Sequence, residues 1–276
     1  MKRTPPTPHP EVNAVLEAIL PQARSILGGQ FVGMYLYGSL AYGGFDRDSD
    51  VDFVVVTKDE LTGESFASLQ EMHARISQID SWCATQLEGS YLPQIGLRQY
   101  DPVRALYYHL DRGPGNRLAR VQLEDARLSR AWWGAWVILR AVLSEKGIAL
   151  AGPALETLVD PVPLEELKRA NRALLTDWAG VMLERPAEMN TRGYQSYVVL
   201  TMCRMLHTHQ NGVLVSKPAA SEWARKTLEP GWLPLIEHAW AGRHDPGGEM
   251  HPEDVQGTLE MIRYTLKIIA GEGKDE

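Results

Sequence analysis

Near the start of the chain, a few residues have the types and spacing that chemistry requires. Gly38 and Ser39 close the apolar run FVGMYLYGS, and eleven residues after Ser39 come Asp50 and Asp52, which open the run DVDFVVVT. A glycine after a strand lets backbone approach a ligand, and the neighbouring hydroxyl can bond a phosphate oxygen. Two carboxylates two residues apart on a strand share one face. There they repel and lose hydration, which demands a compensating cation. Hard oxygen donors suit Mg²⁺, which keeps waters and takes phosphate oxygens as further ligands. The pattern therefore predicts Mg²⁺ arriving with a nucleoside triphosphate, Asp50 and Asp52 holding metal, and Gly38 and Ser39 cradling phosphate. Such a site needs a third acid, as base or as a further metal ligand. Glu88, within ATQLEGSYL, is the first candidate; Asp80 and Asp101 are its rivals.

These groups need a sheet to hold them. A helix is expected over residues 10–27, stopped by Gly28-Gly29, then a strand through FVGMYLYG, a glycine-bearing connection, and a strand over 51–57. Leu61, Phe66, Leu69, Met72, Ile76 and Ile79 recur at helical spacing and predict a crossover helix. SWCATQLEGSYL reads as a third strand closed by Pro93, and residues 116–146 as a long helix with Trp132, Trp133 and Trp136 on its apolar face. Prolines 153, 161 and 163 then break the periodicity. Helices follow over 164–184, 193–210, 218–228, 231–242 and 252–271. The expected fold is α+β: a catalytic domain with a mixed sheet over residues 1–157, then an all-helical domain over 158–276 that binds nucleotide or substrate.

Composition narrows the function. A net charge of −7 and a pI near 5.7 argue against a protein that grips long nucleic acid through its phosphates. Cys83 and Cys203 show neither metal-ligand spacing nor a disulfide framework, which fits a cytoplasmic protein. MKRTPPTPHP lacks the apolar core of a signal peptide, and AWWGAWVILRAVL is too short to span a membrane. No G-x-S-x-G, Walker A, H-E-x-x-H or complete G-x-G-x-x-G is present.

The element G-S-x10-D-x-D between two strands resembles the signature of the nucleotidyltransferase superfamily, whose catalytic fold is polymerase-β-like. The resemblance implies that Gly38-Ser39 hold the triphosphate and that Asp50 and Asp52 hold metal. Glu88, from a later strand, then binds metal or takes the proton of the attacking hydroxyl. The second half is similar to the helical domain of streptomycin/spectinomycin adenylyltransferases. That similarity rests on Val198–Thr201, Arg204, Lys217, Ala219-Ala220, Trp223-Ala224, the LAGP at Leu150–Pro153 and the DPVP at Asp160–Pro163. It implies that Arg204 and Lys217 reach the nucleotide, as fork and point charge, and that AMP passes from ATP to a hydroxyl of a small molecule.

The segment before Val198 departs from the family. ERPAEMNTRGYQSY has Asn190 and Tyr194 where acidic residues are expected, adds Arg185 and Arg192, and keeps Glu184 and Glu188 as possible partners for a cation. Another small-molecule or protein hydroxyl is thus an alternative acceptor. Arg204 and His209 also form R-x4-H, which resembles the motif of HEPN-type ribonucleases, and an inactive nucleotide-binding module is the remaining alternative.

Overall fold

The computed structural model describes residues 5–98, 107–121 and 126–271. The chain divides into two compact units, one of Met1–Glu124 with Leu139–Pro161, the other of Asp125–Ile138 with Val162–Glu276.

In the first unit α1 (Pro10–Leu27) starts on a proline, whose fixed φ and missing N–H are harmless in a first turn. Val12, Val15, Leu16, Ile19, Ala23 and Leu27 form its buried stripe, and Gly28 at φ +49° ends it. There follow β1 (Phe31–Leu36), α2 (Gly38–Tyr42), β2 (Val51–Thr57), α3 (Gly63–Ile76), β3 (Leu87–Pro93), α4 (Gln94–Arg98), β4 (Tyr107–Asp111) and β5 (Arg117–Val121). After α5 (Ala126–Lys146), β6 (Ile148–Ala151) completes a six-stranded sheet of order β5-β4-β3-β2-β1-β6. Among the described residues only β2 and β3 pair in parallel, and α3 is the crossover that a parallel pair requires. Met34, Leu36, Phe53, Val55, Leu69, Met72 and Tyr91 are fully buried in the core. Each large apolar side chain there contributes about 1.5–3 kcal/mol.

Two elements differ from the sequence reading. Residues 117–121 form β5 rather than the start of a helix. The cause is the turn before it: Gly113 and Gly115 have φ of +126° and +85°, and Asn116 has φ of +41°. Asn116 N donates to Gly113 O (3.1 Å), while its buried Nδ2 donates to Ala84 O (2.7 Å). That turn sends the chain back along β4, and a helical period cannot begin until it is past. The third strand also begins later than expected, at Leu87, because Trp82–Thr85 is a single 3₁₀ turn.

The second unit is all helical. It contains α6 (Leu164–Leu174), a π turn over Leu175–Ala179, α7 (Gly180–Glu184), α8 (Arg192–Asn211), α9 (Lys217–Thr227), α10 (Leu233–Arg243) and α11 (Pro252–Gly271). Thr191 caps α8 by accepting from Tyr194 N (3.2 Å). Val198, Val199, Leu200, Met202 and Cys203 are all buried, so α8 is enclosed around most of its circumference, with Tyr197 left exposed. The fold is α+β, a mixed sheet followed by a helical half, as the sequence led us to expect. Among the described residues no helix is long and apolar enough to cross a membrane.

Candidate active site

β2 and β3 are strands of seven residues, and in each the second residue alone escapes full burial. Those residues are Asp52 and Glu88. The parallel register pairs them directly, so both carboxylates stand on one face at the same height across the sheet. The other residues of both strands are buried. The polar pair is thereby confined to the strand ends, where the chain emerges from the loops.

Gly38 and Ser39 reach the same place from β1. Tyr37 N donates to Asp52 O (3.2 Å), which extends the β1–β2 pairing past Leu36. Gly38 then turns with φ of +61°, and a Cβ there would collide with the Asp52 carboxylate. The glycine is required twice, by its backbone angle and by the closeness of Asp52. Ser39 Oγ is buried and has no hydrogen-bond partner. A buried hydroxyl without a partner is costly, and its position on the turn beside Asp52 fits an oxygen ligand such as phosphate. Asp50 and Asp52 add the hard carboxylate donors that suit Mg²⁺, so the residues present fit a metal–triphosphate group.

Two members of the site were not singled out from the sequence. Arg112 forms an ion pair with Asp50. It thus supplies part of the cationic compensation that the paired aspartates demand, from a position 62 residues away. Tyr37 is the other. Burial first, then the Asp52 and Glu88 carboxylates, the Tyr107 phenol and Asp50, hold its phenol well above the usual range. Tyr37 therefore remains a protonated donor facing three carboxylates. Its place directly before Gly38-Ser39 was the one available hint.

Asp80 is exposed in the connection between α3 and the 3₁₀ turn that precedes β3. Asp101 lies outside the described residues.

In the helical unit Arg204 is half-buried on α8, and its Nε donates to Val215 O (3.2 Å). Lys217 is the first residue of α9, whose N-cap Ser216 accepts from Ala219 N. Its Nζ sits 5.2 Å from the centre of the Tyr197 ring. Tyr197 in turn stacks on Tyr194 and meets the edge of Trp178, which belongs to the π turn. In the segment before Val198, Arg192 is bonded to Asp245 (2.6 Å) and Glu184 is exposed. Arg204 and His209 both lie on α8.

Residues 19–108 match the nucleotidyltransferase domain family, and residues 157–267 match the C-terminal domain of aminoglycoside adenylyltransferase. The chain is an aminoglycoside adenylyltransferase-like nucleotidyltransferase. The first matched stretch contains Gly38, Ser39, Asp50, Asp52 and Glu88, and the second contains Arg204 and Lys217. Spectinomycin 9-adenylyltransferase of Staphylococcus aureus is 26% identical over 224 residues, covering 79% of this chain and 80% of that protein. Aminoglycoside (3'') (9) adenylyltransferase of Escherichia coli is 28% identical over 268 residues, covering 95% and 97%. The crystal structure of spectinomycin adenyltransferase AAD(9) from Enterococcus faecialis, with ATP and spectinomycin, shares the fold. Its TM-score is 0.65 at 17% identity, with 93% of this chain and 98% of that one covered.

Proposed function

We propose that this nucleotidyltransferase moves AMP from ATP to a hydroxyl of a small molecule, with Mg²⁺ held by Asp50 and Asp52. The observation that carries the reading is the pairing of Asp52 with Glu88 beside Gly38, an acid pair at a glycine cradle. When bound, the metal supplies charge neutralisation on the triphosphate. Ser39 Oγ donates to a phosphate oxygen. Glu88 accepts the proton of the acceptor hydroxyl as its oxygen forms a bond to the α-phosphorus and the bond to pyrophosphate breaks. Arg204 and Lys217 are the cationic groups for the departing pyrophosphate. We further take residues 1–157 as the catalytic domain and 158–276 as the helical domain that binds nucleotide or substrate. The need for ATP and Mg²⁺, with two buried free cysteines, fits a cytoplasmic setting.

The names of the relatives make spectinomycin the first acceptor to try. A less cationic acceptor is the second reading. It is favoured by Tyr194 stacked on Tyr197 where the family has acidic residues, and by exposed Arg185. The test is acceptor labelling with Mg²⁺ and α-labelled ATP, in the presence of spectinomycin, streptomycin or neither, and with Asp50→Asn as the blank. A labelled drug supports the first reading. Pyrophosphate release without a labelled drug supports the second, and no turnover of ATP with any acceptor would refute both.

A further inference from the structure

The guanidinium of Arg112 donates to Asp50 Oδ1, an oxygen that a metal held by Asp50 would also seek. Backbone bonds show how it arrives there. Asp111 and Arg117 form the last rung of the β4–β5 ladder, so Arg112 opens the turn between these strands. Gly113 N donates to Thr85 O (2.8 Å), and Asn116 Nδ2 donates to Ala84 O (2.7 Å). Val51 N, directly after Asp50, donates to Gln86 O (2.8 Å). The turn is therefore pinned through residues 84–86 to the strand end that carries Asp50.

The two partners are covered to different degrees. The side chain of Asp50 is 20% exposed, whereas that of Arg112 is 55% exposed. The carboxylate is fixed at the end of a strand, while the arginine hangs from a pinned turn on a long stem in water. An ion pair with so exposed a partner adds little to folding, so Arg112 can leave Asp50 without loosening the strand end.

Resting on the reading of Asp50 as a metal ligand, we propose that Arg112 selects the form in which metal enters. It opposes free Mg²⁺ at Asp50 and yields to Mg²⁺ that comes with a nucleoside triphosphate. A carboxylate can accept more than one bond, but a guanidinium and a divalent ion drawn to one carboxylate repel each other. Against free Mg²⁺, Arg112 must give up Asp50 for water and gains no anion in return. Against the metal–nucleotide, Arg112 gives up Asp50 while a polyanion enters the same site, and arginine binds phosphate oxygens through its fork. The exchange makes and breaks no covalent bond. It acts on binding, before any chemistry at the α-phosphorus.

The test titrates Mg²⁺ alone, and Mg²⁺ with the methylene analogue of ATP that cannot be cleaved at the α-phosphorus, into wild type, Arg112→Met and Arg112→Lys. Calorimetry gives the affinities, and thermal melts confirm that each variant is folded. Methionine keeps much of the stem without the charge, and lysine keeps the charge. Arg112→Met should bind free Mg²⁺ roughly 2–5-fold more tightly than wild type, the size of one exposed ion pair. Arg112→Lys should stay near wild type, and Arg112→Met should bind the Mg²⁺–analogue pair no more tightly than wild type does. Unchanged or weaker binding of free Mg²⁺ by folded Arg112→Met would overturn the proposal. So would an equal gain with and without the analogue, because the arginine would then select nothing. Adding Asp50→Asn to Arg112→Met should erase the gain; a gain that persists would show that Arg112 acts elsewhere than at Asp50. Asp50→Asn alone separates the two readings. Wild-type Mg²⁺ binding in that variant refutes the metal assignment, whereas lost binding there beside an unaltered Arg112→Met refutes the exchange alone.

Discussion

Asp52 and Glu88 are register partners on the two strands of the sheet that run parallel. They sit 36 positions apart in sequence, and one crossover helix brings them side by side. A parallel pair keeps its register only while both strands are buried, because a slip of one residue would turn every side chain to the opposite face. The valine and leucine burial of β2 and β3 is thus what fixes the spacing of the two acids.

The first prediction concerns the aspartates. On the proposed metal assignment, Asp52→Asn and Asp50→Asn should abolish transfer while the protein stays folded, because each removes a carboxylate charge and keeps the side-chain shape. Asp52→Asn also relieves repulsion with Glu88, so its melting temperature without metal should equal or exceed that of wild type. Asp50→Asn gives up the charge that Arg112 faces and should not gain. Pyrophosphate release and thermal melts with and without Mg²⁺ decide this. Near-normal turnover in either variant would sink the metal assignment.

Glu88→Gln should separate binding from chemistry. The amide keeps the volume and cannot take a proton, so turnover should drop by about 10²–10⁴-fold while Mg-ATP affinity changes little. Calorimetric titration of ATP beside single-turnover rates would show it. Lost ATP affinity would mark Glu88 as a metal ligand.

Much of this candidate site was legible in the sequence. Gly38, Ser39, Asp50, Asp52 and Glu88 have types that only make sense together, and alternation within short strands places Asp52 and Glu88 on a face. Arg112 and Tyr37 were not legible for different reasons. Arg112 reaches Asp50 only through the β4–β5 hairpin, and that hairpin was hidden because RLARVQLEDARL has a helix-compatible spacing of apolar residues. Tyr37 looks like an ordinary strand aromatic until the turn at Gly38 sets its backbone against Asp52.

Gly38→Ala tests the cradle. The substitution meets both a positive φ and the Asp52 carboxylate, whereas Gly43 has φ of +75° with open space around it. Gly43→Ala should therefore cost only left-handed strain, about 1–2 kcal/mol, and leave turnover nearly intact. Gly38→Ala should cost more and remove most activity by displacing Asp52. Equal effects in the two variants, read by chemical denaturation and by pyrophosphate release, would show that proximity to Asp52 is unimportant.

The last prediction concerns acid stability. Behind the catalytic strands His73 Nε2 and Tyr91 Oη are bonded at 2.7 Å, both fully buried, with Phe53 packed against each ring. Burial lowers the pKa of His73 to about 3, so the folded protein holds it neutral. In the unfolded chain the imidazole takes a proton near pH 6.5. Below that pH the unfolded state binds more protons than the native one. Stability is thus full above about 6.5 and is lost as pH falls towards the folded pKa. By pH 5 this one group should remove about 2 kcal/mol. The double variant His73→Leu/Tyr91→Phe removes both partners together, so no buried polar atom is stranded. Denaturant unfolding at pH 7 and pH 5 should show wild type losing that increment and the double variant losing about 2 kcal/mol less. An equal loss in both would mean that other groups set the acid limb.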